Sequence, residues 1–355
     1  MPETPNSNML TKKFIRTTLC IFCCICTACK NTPKKVTKAF YYWKTNVDVS
    51  GFEQKRLDSF ACNMLYIRFF DVDWDIRVNQ PQPVAVNKFV QSLPNGFTCV
   101  PVVFITQDAL NKTPVNAVEG LAKHLTNLLY EKCVQSKINP AEIQIDCDWT
   151  INNKDKYFLL LKFCKKQQFF KNKTLSCTIR LHQAHSPKGN GIPPVDKGLL
   201  MCYNMGNLQV AGSNNSILDV GIAEHYLDNL QDYPLPLDIA LPLFNWCLLY
   251  DNENRFTGIL RDIQQSDLSN ANLFKTKGAN VYAVNVDTIL KGYTLTKNET
   301  VRYEACNIAD LYRLANFVAG KINNPAFNLI FYHCDSTVLS KYSNYELEKI
   351  YHSFN

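Results

Sequence analysis

Short apolar runs recur along the chain, bounded by Gly, Pro, Asn or Asp, and stretches with apolar residues at helical spacing lie between them. The runs at 38–43 (KAFYYW), 62–70 (CNMLYIRFF), 98–106 (TCVPVVFIT), 142–148 (EIQIDCD), 174–182 (TLSCTIRLH), 199–204 (LLMCYN), 236–243 (PLDIALPL) and 328–333 (NLIFYH) read as strands. Each is short and rich in β-branched or aromatic residues. Between them, 114–136 carries Val118, Leu121, Leu125, Leu128 and Leu129 at helical spacing, and 154–168, 217–229 and 308–322 behave similarly. Asn307 can cap the last of these, and Gly320 lies near its end. Strands alternating with helices predict a parallel sheet, and eight such strands predict an α/β fold, a (β/α)8 TIM-like barrel. The alternation breaks at 251–305, an insertion between strands 7 and 8 with another strand-like run, VYAVNV (281–286). A doubly wound open sheet is the alternative. It usually carries a Gly-rich phosphate turn after its first strand, and the stretch after residue 43 has none. No repeat of solenoid period is present.

The N-terminus departs from this pattern. Residues 1–16 are polar and carry Lys12, Lys13 and Arg16, while 17–28 (TTLCIFCCICTA) are apolar or small and uncharged. A membrane-spanning helix takes about 20 apolar residues, so this run is too short. A basic start, a short apolar stretch and small residues at its end describe a secretory leader. Cys26-Thr27-Ala28-Cys29 resembles the lipobox of bacterial lipoproteins, whose cysteine is lipidated and becomes the new N-terminus. Cys26 stands where that motif more often has Leu. The expectation is a leader over 1–28, a lipid anchor at Cys29, a tether over 29–37 and one barrel domain over 38–355. Such a protein would be a membrane-anchored lipoprotein of the cell envelope, at the outer membrane, with its leaflet open. A plain cleaved signal or an uncleaved anchor is the alternative.

The net charge of +7 is spread along the chain, too mild to argue for nucleic acid. Lys34-Lys35 and Lys165-Lys166 read as solvated surface. Aromatics make up 12% of the chain; they build cores and also sugar-binding clefts. The ten cysteines after Cys29 are scattered, with no CxxC pair, and several sit in apolar runs such as TCVPVVF. Free cysteine packs as a small apolar residue, so most are expected reduced in the core. Export would permit disulfides, whose pairing the sequence cannot assign. No clustered metal ligands appear, and neither a metal nor a cofactor is expected. No G-x-S-x-G elbow is present for a serine nucleophile.

In a barrel of this class the chemistry sits at the C-terminal ends of the strands. Strand 1 ends with Tyr42 and Trp43, strand 2 with Asp71, Asp73 and Trp74, and strand 3 with Gln107 and Asp108. Strand 4 ends with Asp146, Asp148 and Trp149, and strand 5 with Arg180, His182 and Gln183. Strand 6 ends with Tyr203 and Asn204, strand 7 with Asn245 and Trp246, and strand 8 with His333 and Asp335. Polar residues also follow apolar strands simply because loops begin there. Carboxylates on strands 2 and 4 together are harder to explain that way.

Strand 4 is the sharpest signal. In EIQIDCDWT, Gln144, Asp146 and Asp148 alternate with Ile143, Ile145 and Cys147, which places the polar three on one face. Apolar residues suit the helix side, so the carboxylates point into the barrel. Two carboxylates confined together push one pKa upward, the arrangement from which acid or base catalysis is built. A structural polar network, with Arg68 or Arg180, is the equal alternative.

The segment IDCDW resembles the strand-4 signature of family 18 glycoside hydrolases, the chitinase-like TIM barrels, which ends D-x-D-x-E. Asp146 and Asp148 match its last two Asp positions. Met201-Cys202-Tyr203-Asn204 resembles that family's strand-6 M-x-Y-D run, and Trp246 could resemble the aromatic floor under its reacting sugar. The departures are Thr150 at the position of the family's general acid Glu, Ile143 at its first Asp, and Asn204 at the strand-6 Asp. Thr cannot protonate a leaving group, so the family's mechanism cannot run unchanged. With LYIRFFDVDWD and LIFYHCDST, the chain is also similar to exported bacterial lipoproteins that carry barrels of this look with no assigned activity.

Three expectations follow. The first is a glycoside hydrolase working with Asp146 and Asp148, Asp71 or Asp73, and Tyr203. Its carboxyls would stand about 5–5.5 Å apart for retention, or roughly 6.5–9.5 Å for inversion. Trp43, Arg180, His182, Asn204 and Trp246 would hold the glycan. The second is a silent glycan-binding barrel in which Trp43, Trp74, Trp149 and Trp246 offer stacking faces. The third is an envelope scaffold whose polar mouth is structural.

Overall fold

Each of the eight apolar runs forms a strand in the computed structural model, which describes residues 34–211 and 215–354. They are β1 (Lys35–Tyr42), β2 (Met64–Asp75), β3 (Thr98–Ile105), β4 (Glu142–Cys147), β5 (Thr174–Arg180), β6 (Lys197–Met201), β7 (Leu237–Pro242) and β8 (Ala326–Tyr332). All pair in parallel in chain order, and β1 pairs with both β8 and β2, which closes the ring. The fold is the closed (β/α)8 barrel that the alternation predicts. The leader and Cys29 lie outside the described residues. Lys35–Thr37, expected in the tether, already pair with Ala326–Asn328 of β8, so the barrel begins earlier than residue 38. A polar strand start is tolerated here because its side chains remain partly exposed.

Helices cover the outside at Val118–Gln135, Lys154–Lys166, Val220–Tyr226, Ile308–Ala319 and Asn344–His352. Asn307 caps the helix Ile308–Ala319 by accepting from the Asp310 amide, and Gly320 ends it. The alternation breaks once more than expected. Between β2 and β3 the strand Gln80–Val84 folds back antiparallel on the outer half of β2. Pro81 and Pro83 forbid a helix there and leave an edge that does not invite further pairing.

The faces of β4 follow the predicted alternation. Gln144 and Asp146 point inward, where Gln144 accepts from the Tyr41 hydroxyl and Asp146 from Thr178. Ile145 lies toward the helix Lys154–Lys166, whose Tyr157 hydroxyl donates to the Ile145 carbonyl at 2.7 Å. All ten described cysteines are buried and unbridged, in keeping with their apolar surroundings. Gly198 in β6 is a close approach: a Cβ there would meet Ile179 at 2.7 Å and Leu237 at 2.9 Å.

Between β7 and β8 the chain builds a second, antiparallel sheet from Asn245–Tyr250, Phe256–Leu260, Phe274–Gly278, Val281–Val284 and Thr300–Ala305. It begins at Asn245, ahead of the expected 251, because β7 stops at Pro242. The sheet has its own core of Cys247, Leu260, Phe274, Val284, Leu295 and Val301 among others.

Candidate functional site

Strand alternation alone would set Arg68 and Asp71 on opposite faces. A register shift between Arg68 and Phe70 adds one residue to β2, which turns Asp71 toward Arg68. The guanidinium grips the carboxylate with two hydrogen bonds, one of 2.6 Å from Nε. Across the mouth, Arg180 at the end of β5 holds Asp148 in the same way, Nε to Oδ1 at 2.5 Å. Two of the four expected carboxylates, Asp71 and Asp148, are therefore each paired with an arginine. Asp73 turns away and accepts from Thr106 at 2.7 Å.

Asp146 lies one layer below Asp148 and is 5% exposed. Burial is the largest cause of its raised pKa, and the charges of Asp148 and Asp71 add to it. Thr178 and Arg180 oppose the rise, and the carboxyl ends at about 7. One acid at the mouth is thus poised to hold or release a proton near neutrality. The Tyr203 hydroxyl is buried beside this group and has no hydrogen-bond partner among the described residues. Burial, followed by the Tyr332 phenol, raises its pKa, while Arg180 lowers it.

Above these groups opens a cleft of about 350 Å³. Asp148, Arg180, His182, Tyr203 and Asn204, all expected, line it, with Gln107, Trp149, Thr150, Met205 and Tyr226. Asn204 turns the chain at φ 57°, a conformation that Asn tolerates better than most residues. The His182 pKa is lowered by burial and then by the Arg180 charge. Thr150 stands on the cleft wall two residues past Asp148, its amide bonded to Asn153 at 2.7 Å.

Two tryptophans are corrected. Trp246 opens the second sheet rather than ending a barrel strand, and only 9% of it is exposed. Its indole donates to Glu304 at 2.9 Å and its ring abuts Phe244, so it offers no face to a sugar. Trp149 is 1% exposed and stacked on Tyr157. Trp43 does stand at the mouth, half-buried, between Tyr41, Tyr332 and the Arg68 guanidinium. Trp74 sits apart on the β2 hairpin, beside Ile76 and Pro114. Tyr332, the last residue of β8, was missed. Its ring lies within 6 Å of Tyr41, Trp43, Tyr203 and Phe244. Its place at a strand end was the available signal, masked by the charged residues just beyond it.

No family model matches the chain, and no curated protein sequence matches it. Solved structures do. Over 92% of this chain it superposes on 76% of the Bacillus cereus spore cortex-lytic enzyme SleL, with a TM-score of 0.53 and 11% identity. A chitinase from Chromobacterium violaceum matches over 90% of this chain and 98% of its own, with a TM-score of 0.52 and 9% identity. A family GH18 chitinase from Cycas revoluta, solved with allosamidin, matches over 90% and 100%, with a TM-score of 0.52 and 12% identity. The fold is the closed barrel of chitinase-like proteins. At these identities the likeness concerns the fold, and the site must be argued from its own residues.

Proposed function

We propose that the barrel mouth binds a glycan containing N-acetylglucosamine and holds it without cutting it by the chitinase route. We further propose that the protein is an exported lipoprotein of the cell envelope. The observation that carries the binding reading is the Arg180 grip on Asp148, beside Thr150. The carboxylate oxygen that a general acid would present is occupied by the guanidinium, and a threonine hydroxyl does not donate a proton to a leaving oxygen. What remains is a half-open cleft with an ion pair, amides, a buried tyrosine hydroxyl and the rings of Trp43 and Tyr332 nearby, which suits hydroxyl and acetamido groups. The structural neighbours solved with chitin-type oligosaccharides support the same ligand class.

Calorimetry with tetra-N-acetylchitotetraose, paired with mass spectrometry of the sugar, tests this. Saturable heat with intact sugar is expected, along with about 2.7 kcal/mol of added stability at 100 times Kd. Shortened sugar would overturn the silent-barrel reading. It would favour the hydrolytic one, for which the high pKa of Asp146 is the supporting observation. The anchor is tested separately: intact mass should show a lipid adduct on Cys29 that Cys29→Ser removes.

A further inference from the structure

One lysine-rich stretch plays no part in the mouth. From Lys162 to Lys173 the sequence KFCKKQQFFKNK holds five lysines and no acid. It runs from the last turns of the helix Lys154–Lys166 through the short turn Gln168–Phe170 to the threshold of β5. A segment leading into a barrel strand lies at the N-terminal end of the barrel, opposite the cleft. Lysines in the last turn of a helix suit its carbonyl end, which accounts for Lys165 and Lys166. It does not account for Lys171 and Lys173 beyond the helix.

Only Lys165 of the five meets an acid, Asp196, among the described residues. Two of the others lie over aromatic rings, Lys166 over Phe163 at 5.6 Å and Lys173 over Phe169. Lys173 Nζ lies 5.2 Å from the Phe169 ring centre and also reaches Asn139 at 3.3 Å. Phe169 in turn meets Tyr130 of the helix Val118–Gln135 at 5.4 Å. Tyr130 is 53% exposed, and Val134, one turn on along the same face, is 58% exposed. Glu131 is the one acid beside them on that helix.

We infer that this closed end of the barrel is a docking face for an anionic lipid surface. Lysines are drawn to anionic headgroups, and aromatic rings favour the headgroup layer. The chain's own entry point is at the same end. β1 starts at Lys35, six residues past Cys29, and six extended residues reach at most about 20 Å. On the lipid-anchor reading, on which this orientation rests, the tether keeps the lysine face near the bilayer and turns the mouth away from it. The lysine face itself does not depend on the anchor.

The test uses the full chain with phosphatidylglycerol vesicles and, separately, phosphatidylcholine vesicles, with lysine acylation read by mass spectrometry. On the anionic vesicles, Lys166, Lys171 and Lys173 should be protected at least threefold relative to the neutral ones, and 0.5 M salt should remove the protection. Each lysine near such a surface adds roughly fivefold in partitioning, so the triple neutralisation K166Q/K171Q/K173Q should lose on the order of 100-fold. These side chains lie on the surface, and an unchanged Tm would confirm that the variant folds. Equal protection on both vesicles, or stronger protection by soluble dextran sulfate than by anionic vesicles, overturns the inference. Retention on neutral vesicles reports the anchor alone, so failure of the anchor and failure of the lysine face are distinguishable.

Discussion

The two ends of the barrel interior hold the same kinds of residue and treat them differently. At the N-terminal end, Lys197 bridges Glu142 at 2.8 Å and Asp238 at 2.5 Å. Ser176 donates to Glu142 at 2.6 Å, while the Asn328 backbone and side-chain amides donate to Asp238 and the latter also to the Tyr66 hydroxyl. Every carboxylate oxygen there is occupied, and the plug is shut. At the C-terminal end, arginines hold Asp71 and Asp148; among the described residues Asp146 has a single hydroxyl donor and the Tyr203 hydroxyl has no partner. One end has spent its hydrogen-bonding capacity on folding. The other keeps some for a ligand, which is where a fold of this class places its site.

That comparison can be broken at several points. The largest effect should come from Lys197→Met, which leaves two acids facing each other in the sealed end and should cost about 3–5 kcal/mol in urea unfolding. Next comes pH. Asp146 titrates near 3.8 when unfolded and at about 7 when folded, so the folded state holds an extra proton between those values. Stability therefore falls as pH rises through that window, by up to about 4 kcal/mol, since each unit is worth about 1.36 kcal/mol. Asp146→Asn should flatten the slope, and a slope that survives would show that another group sets it. Asp148→Asn, at the wetter end, should cost only about 1 kcal/mol; a loss equal to that of Lys197→Met would erase the distinction between the ends. Tyr203→Phe should change stability by about 0.5 kcal/mol or less, because no partner is lost. It should still weaken glycan binding about tenfold, the worth of one hydrogen bond; unchanged affinity would remove Tyr203 from the site.

Much of this was legible beforehand. All eight barrel strands fall within a few residues of the apolar runs, because a strand buried on both faces leaves a continuous hydrophobic signature. The inward march of Gln144, Asp146 and Asp148 could be read from a period of two. Glu142, two residues earlier on the same face, belongs to the same ladder and was passed over, since nothing local distinguishes a plug from a site. The partners were harder. Arg68 meets Asp71 only because of an added residue in β2, and bulges leave no firm sequence mark. Trp246 was misplaced for a related reason: LPLFNWCLLY reads as one apolar stretch, and the break at Leu243 and Phe244 separates two sheets.

The sequence by itself determined the barrel, the faces of its strands, the buried reduced state of its cysteines and the set of polar residues gathered at its mouth. These follow from local periodicity, which each segment carries without reference to its neighbours. Only the tertiary structure decided which carboxylate is left without an arginine. Asp71, Asp146 and Asp148 look alike along the chain, yet arginines from β2 and β5 pair with two of them while burial raises the pKa of the third. Pairing and burial depend on residues far apart in sequence, so the proton at the mouth has an address only after the barrel has closed.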